Sequence, residues 1–247
     1  DARPRREAKA LVDRGDDVHF WGLGTGGDYV FDGVTVHEMP IRRYRGAARG
    51  SYLRSYASFL AHVGIELARN GRFDVVHVHT MPDFMVFSAL APRIRGARIV
   101  LDVHDPMPEL YGSKFGLGPH HPKIRAVQWQ EQASLRFADH VICTHELFRE
   151  RLMELGVGRE RTSVVLNVAD PSIFGPTGAL TARHDRAPHP TIVYHGTIAE
   201  RLGLDVALDA FTRLWRSKPE LRLRIIGTGD FAPTQRTHRH TTQQQRP

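Results

Sequence analysis

The 247 residues carry a formal charge of +7, with 41% hydrophobic and 25% charged side chains, enough apolar material for one large or two smaller globular cores. No run approaches the ~18–20 apolar residues of a membrane-spanning helix, and Asp1-Ala-Arg-Pro-Arg-Arg-Glu7 has no signal-peptide pattern. The single cysteine excludes an intramolecular disulfide and fits a reducing compartment; in the apolar run Val141-Ile-Cys143 it reads as a buried structural thiol.

The predicted elements alternate between helix and strand, the pattern of a parallel α/β sheet. A helix over 4–14 opens the chain, with Pro4 near its start and Gly15 at its end. A strand over 17–22 leads into glycine-rich turns at 22–27, and a short strand covers 34–37. Apolar residues at Tyr52, Tyr56, Phe59, Leu60, Val63 and Leu67 share one face of a helix over 51–70. Strand 74–79, helix 83–91, strand 98–103, helix 121–138, strand 140–143, helix 145–155 and strand 162–166 follow. Thr144 is the expected cap of helix 145–155.

Residues 1–168 are therefore expected to form a first domain, 169–190 a linker rich in Pro, Gly and charge, and 191–230 a second α/β unit. That unit holds strand 191–195, helix 204–217, strand 221–226 and Gly227-Thr-Gly229. Residues 231–247 have a polar, low-complexity composition and are expected to be disordered. The chain opens on a helix where such domains open on a strand, and its second unit has two strands, so it reads as a fragment.

Only four of the 34 basic residues are lysine. This arginine excess reflects either genomic codon usage or an anionic partner. Its densest stretch, 42–56, interleaves Arg42, Arg43, Arg45, Arg49 and Arg54 with Tyr44, Tyr52 and Tyr56. In the absence of a nucleic-acid motif it reads as a lipid-facing or solvated loop, and no nucleic-acid partner is expected.

Chemistry is expected at two strand ends, Val75-Val-His-Val-His79 and Leu101-Asp-Val-His-Asp105, because open α/β sheets bind ligands outside the carboxyl ends of their strands. His77 and His79 share one face of their strand. They serve either as satisfied structural groups, as recognition groups for hydroxyls or phosphates, or as metal ligands. The last would need further donors, for which His104 and Asp105 are the local candidates. Pro106 and Pro108 stiffen the loop that carries Asp105 and Glu109. Glu109 is a ligand contact or a helix N-terminal acid. In the second unit, the helix start after Tyr194-His-Gly-Thr197, with Arg201 nearby, would suit a diphosphate.

In chain order these segments resemble the family 4 glycosyltransferases, retaining enzymes of the GT-B fold. The resemblance runs through Arg6-Glu-Ala-Lys-Ala-Leu-Val-Asp-Arg-Gly15, Phe73 to His79, Asp102 to Tyr111, Ala138 to Ile142, Val165 to Asp170, Gly196 to Phe211 and Leu223 to Asp230. It implies a Rossmann-like parallel sheet, the N-terminal GT-B domain, with an incomplete second Rossmann-like domain. The implied activity is sugar transfer from a nucleotide diphosphate donor to an acceptor hydroxyl, in building cell-envelope polysaccharide or glycolipid, with no cofactor and no essential metal. His104 and Asp105 would be catalytic, His79 and Glu109 would lie on the acceptor side, and Gly196, Thr197 and Arg201 would bind the donor diphosphate. The partners implied are a nucleotide sugar and a carbohydrate or glycolipid acceptor, in the cytoplasm, with peripheral membrane contact through 42–56.

Two departures stand out. The family's basic pair in the loop before the second-domain helix falls at Thr197 and Leu202, leaving Arg201 as the nearby cation. The family's first glycine-rich loop and its E-x7-E segment have no counterpart here, so the chain alone is expected to be inactive. The competing functions are a non-catalytic acceptor- or lipid-binding module and a metal-dependent hydrolase built on His77, His79 and His104.

Overall fold

The computed structural model describes residues 2–41, 49–80, 82–169, 189–199 and 202–229. The chain divides into two compact units, Asp1–Val168 and Ala169–Pro247. Among the described residues no helix is long and apolar enough to cross a membrane.

The first unit begins with α1 (Ala2–Arg14), followed by β1 (His19–Leu23), β2 (Gly27–Phe31) and β3 (Val34–Met39). These strands form a small sheet in the order β1-β3-β2, with β1 parallel and β2 antiparallel to β3. The β2–β3 hairpin turns on Asp32 and Gly33, whose φ values of 52° and 80° are both left-handed, as a tight two-residue hairpin turn requires. Strand β2 is absent from the sequence reading for a physical reason. All five of its residues are exposed, so no alternation of polarity marks it.

α2 (Arg49–Arg69) then leads to β4 (Val75–His79), a 3-10 helix (Asp83–Ala89), α3 (Leu90–Ile94) and β5 (Arg98–Val103). The remainder of the unit is α4 (Met107–Phe115), α5 (Pro122–Phe137), β6 (His140–Cys143), α6 (Glu146–Glu154), a 3-10 turn (Arg159–Arg161) and β7 (Thr162–Val164). Strands β4-β5-β6-β7 form the expected all-parallel sheet. Ile99, Leu101 and Val103 of β5 join Val141 and Cys143 of β6 in a core closed by Val86, Ala89, Leu135, Phe148 and Leu152. Cys143 is buried there as a free thiol, and burial pushes its pKa up.

Two details differ from the sequence reading. The cap of α6 is His145, not Thr144: its ring nitrogen accepts from the Phe148 backbone N–H at 3.2 Å. The proline-bearing segment after β5 forms α4, with Pro106 as N-cap and Pro108 in the first turn, where a missing N–H breaks no helical bond. Gly116 ends it at φ 62°.

The second unit pairs β8 (Thr191–His195) with β9 (Arg222–Ile226) in parallel and carries α7 (Leu204–Ser217). Here Gly227 and Gly229 serve close backbone approach. A Cβ on Gly227 would lie 1.8 Å from the Gly196 carbonyl oxygen, and one on Gly229 would lie 1.9 Å from that of Ile198.

Candidate functional site

Parallel register places His79 of β4 beside Asp102 of β5. Alternation along β5 turns Leu101 and Val103 into the apolar core and Asp102 to the opposite face. That face is polar: His77 and His79 from β4, Asp102 from β5, and Arg3 and Glu7 one turn apart on α1.

Asp102 organises the cluster. It is fully buried, and its Oδ1 and Oδ2 accept from Arg3 Nη2 at 2.8 Å and Nε at 2.7 Å. Oδ2 also accepts from His79 Nδ1 at 3.0 Å and His104 Nε2 at 2.8 Å. Burial alone would raise this carboxyl; the hydrogen bonds from His104, His79 and Arg3 outweigh it and hold the group well below the usual carboxylate range. Charge-assisted bonds of this kind also fix each ring. His79 keeps Nε2 free of Asp102, and His104 keeps Nδ1. Arg3 further donates to the Val165 carbonyl at 2.7 Å, tying α1 to the segment after β7. The His104 backbone N–H donates to Thr80 Oγ1 at 3.0 Å, and the Thr80 N–H to the Asp102 carbonyl at 3.0 Å, which locks the two strand ends together.

Glu7 and His77 occupy the other side. Glu7 Oε2 lies 3.6 Å from His77 Nε2 and 3.8 Å from His79 Nε2, while Oε1 lies 3.2 Å from Arg3 Nε. Both Glu7 oxygens and His77 Nε2 are buried without a hydrogen-bond partner among the described residues. Burial, reinforced by Asp102, raises the Glu7 carboxyl. Burial, reinforced by His79, lowers His77 to about 4.

The predicted residues distribute as follows. His79 and His104 meet, with Nδ1 and Nε2 3.4 Å apart, and Asp105 follows at the exposed rim. Glu109 stands apart from the histidines: both its oxygens accept from Arg151, at 2.7 and 2.9 Å, and Arg151 also bonds the buried Glu131. His104 is not part of the group with metal-ligand spacing, which comprises Glu7, His77, His79 and Asp102. In the second unit Gly196 and Thr197 are exposed, and the Thr197 carbonyl accepts from the Tyr194 hydroxyl at 2.7 Å. Helix α7 carries Asp205 in its first turn. Arg201 lies outside the described residues, as do 42–48, 170–188 and 231–247.

Sequence reasoning passed over Arg3, Glu7 and the organising role of Asp102. Only Asp102 left a signal, a charge inside an otherwise apolar strand. Arg3 and Glu7 join the site through the docking of α1 on the sheet, which no local pattern reveals.

The glycosyl transferase 4-like domain profile matches residues 2–167. Glycogen synthase of Pectobacterium atrosepticum is 26% identical over 266 residues, covering 86% of this chain and 54% of that protein. Among solved structures, sucrose-phosphate synthase of Thermosynechococcus elongatus superposes with a TM-score of 0.66 at 15% identity, covering 91% of this chain and 55% of that one. Anabaena HepE, solved with UDP and glucose, superposes with a TM-score of 0.54 at 16% identity, covering 86% and 56%. The chain thus spans about half the length of the relatives it matches.

Proposed function

The chain belongs to the glycosyl transferase 4-like family, and on that footing we propose that the protein transfers a sugar from a nucleoside diphosphate donor to an acceptor hydroxyl with retention of anomeric configuration. The observation that carries this reading is the pair of imidazoles at adjacent strand ends, His79 and His104, fixed by one buried carboxylate, Asp102. Preorganised hydrogen-bonding groups at the carboxyl ends of parallel strands suit the recognition of sugar hydroxyls. HepE, a relative in fold, was solved with UDP and glucose, which supports a donor of the same class.

In this reading His104 presents Nδ1 to the donor sugar, and Asp105, exposed beside it, orients hydroxyls. His79 lines the acceptor side. Glu109 stands further along that side, held by Arg151. Gly196, Thr197 and Arg201 meet the donor diphosphate through backbone amides and one guanidinium. Stabilising the departing diphosphate is the main catalytic contribution, and no essential metal is assigned to it. The acceptor is a carbohydrate or glycolipid of the cell envelope, met in the cytoplasm, with residues 42–56 touching the membrane surface.

The test is incubation of the full-length protein with UDP-, ADP- and GDP-sugars and a glycan or glycolipid acceptor. Product is detected by mass spectrometry and its anomeric proton coupling read by NMR. The expected product keeps the donor's configuration. An inverted product contradicts retention, and absence of product with every donor contradicts transfer.

A further inference from the structure

Glu7 and His77, which the transfer reading does not use, face His79, which it places on the acceptor side. A carboxylate oxygen and two imidazole Nε2 atoms converge, with Glu7 Oε2 at 3.6 and 3.8 Å from the two rings. All the ligand atoms of this group lie within 4.8 Å of one another. Four-coordinate zinc with bonds of about 2.0–2.1 Å places its donors ~3.4 Å apart, so Glu7 stands within a few tenths of an ångström of ligating distance from each histidine.

Three further features fit the same occupant. Buried polar atoms are normally hydrogen-bonded, yet both Glu7 oxygens and His77 Nε2 are buried without such a partner among the described residues. His79 turns its other nitrogen to the Asp102 carboxylate at 3.0 Å, the outer carboxylate–histidine contact that fixes the tautomer and orientation of a metal-binding imidazole. Charge also favours a cation: Glu7 and Asp102 carry two negative charges against the guanidinium of Arg3, a net of one negative charge before any ion enters. Arg3 engages Oε1 of Glu7 at 3.2 Å and leaves Oε2 to the histidines.

We propose that Glu7, His77 and His79 form a binding site for a divalent transition-metal ion of the zinc class, with Asp102 as the outer carboxylate. The donor set of two imidazoles and one carboxylate selects zinc, nickel or cobalt over magnesium or calcium, which prefer all-oxygen ligands. The ion pins α1 to the end of β4, and solvent completes its coordination. No step of sugar transfer passes through it; the two readings share His79, and their tests are separable because metal is read by titration and X-ray absorption while transfer is read by its product.

The test uses the whole chain without an affinity tag, stripped with chelator and titrated with zinc by calorimetry and with cobalt by visible absorption. One equivalent is expected to bind at micromolar concentration or below, with a cobalt spectrum of low coordination number and a rise in thermal midpoint. Glu7→Gln and His77→Ala should each weaken binding at least tenfold. His104→Ala, and the tail double substitution His238→Ala/His240→Ala, should leave it in place. X-ray absorption at the zinc edge of the wild-type protein provides a readout that needs no variant, and two imidazole ligands are expected. Binding only at millimolar metal overturns the proposal. So does an affinity that survives both Glu7→Gln and His77→Ala, or one lost on removing the tail histidines.

Discussion

Asp102→Ala is expected to destabilise the first unit by about 3–5 kcal/mol, the cost of removing one partner from a buried ion pair. The reason lies in what Asp102 holds. Arg3 is 3% exposed and Asp102 fully buried, and the carboxylate takes four hydrogen bonds, two from Arg3 and one each from His79 and His104. Without it, the guanidinium stays buried with only Glu7 left to offset its charge, and α1 loses its principal anchor to the parallel sheet. The contrast is Arg5, whose ion pair with Asp32 joins side chains 62% and 37% exposed. Arg5→Ala should cost at most ~1 kcal/mol, because water and salt screen such pairs. Urea midpoints of the two variants decide it, and equal losses would refute the assignment of Asp102 as the keystone.

The second large effect depends on pH. Asp83 opens the 3-10 helix after β4, is 1% exposed, and has neither oxygen hydrogen-bonded among the described residues. Burial, reinforced by the buried Glu131 and only partly offset by Arg151, raises its carboxyl from 3.8 to about 7. The native state therefore holds this proton more tightly than the unfolded chain does. Stability falls as pH rises from about 4 to 7, and the whole penalty is present above pH 7. Asp83→Asn removes the ionisation. Relative to the wild type, the variant should gain about 4 kcal/mol on going from pH 4 to pH 8, at about 1.4 kcal/mol per pKa unit. Denaturation curves at the two pH values measure the difference directly. A wild-type-minus-variant difference that is constant with pH would show that Asp83 has a native partner for its charge.

What the sequence discloses, and what it hides, follows from where each residue finds its partners. The parallel strands β4 to β7 are legible because strands covered on both faces read as apolar runs. Their polar ends are legible for the converse reason: His79 and His104 interrupt those runs at the rim where ligands bind. Strand β2 escapes because it is exposed throughout, although Asp32-Gly33 is a hairpin signal in itself. Helix α4 escapes because Pro106 and Pro108 suggest a loop, while at a helix start they are compatible with the helix. The hardest part to see is the α1 contribution. On the sequence, Arg3 and Glu7 are an ordinary pair at helical spacing. Their meeting with Asp102 and His77, some 70 to 100 positions along, exists only in the packed structure. Glu109 reads in the sequence as a ligand contact or a helix N-terminal acid; it lies in the first turn of α4, and the structure adds an ion pair with Arg151 that no local pattern reveals.

The central claim is that the imidazole of His104, set by Asp102, acts on a sugar donor. The most direct measurement is kcat for sugar transfer from a nucleoside diphosphate donor by the full-length protein, wild type against His104→Ala, with both shown to be folded. Loss of a preorganised group of this kind typically costs about 10²–10³-fold, and a fall of that size is expected. Transfer that proceeds at the wild-type rate without His104 would contradict the account.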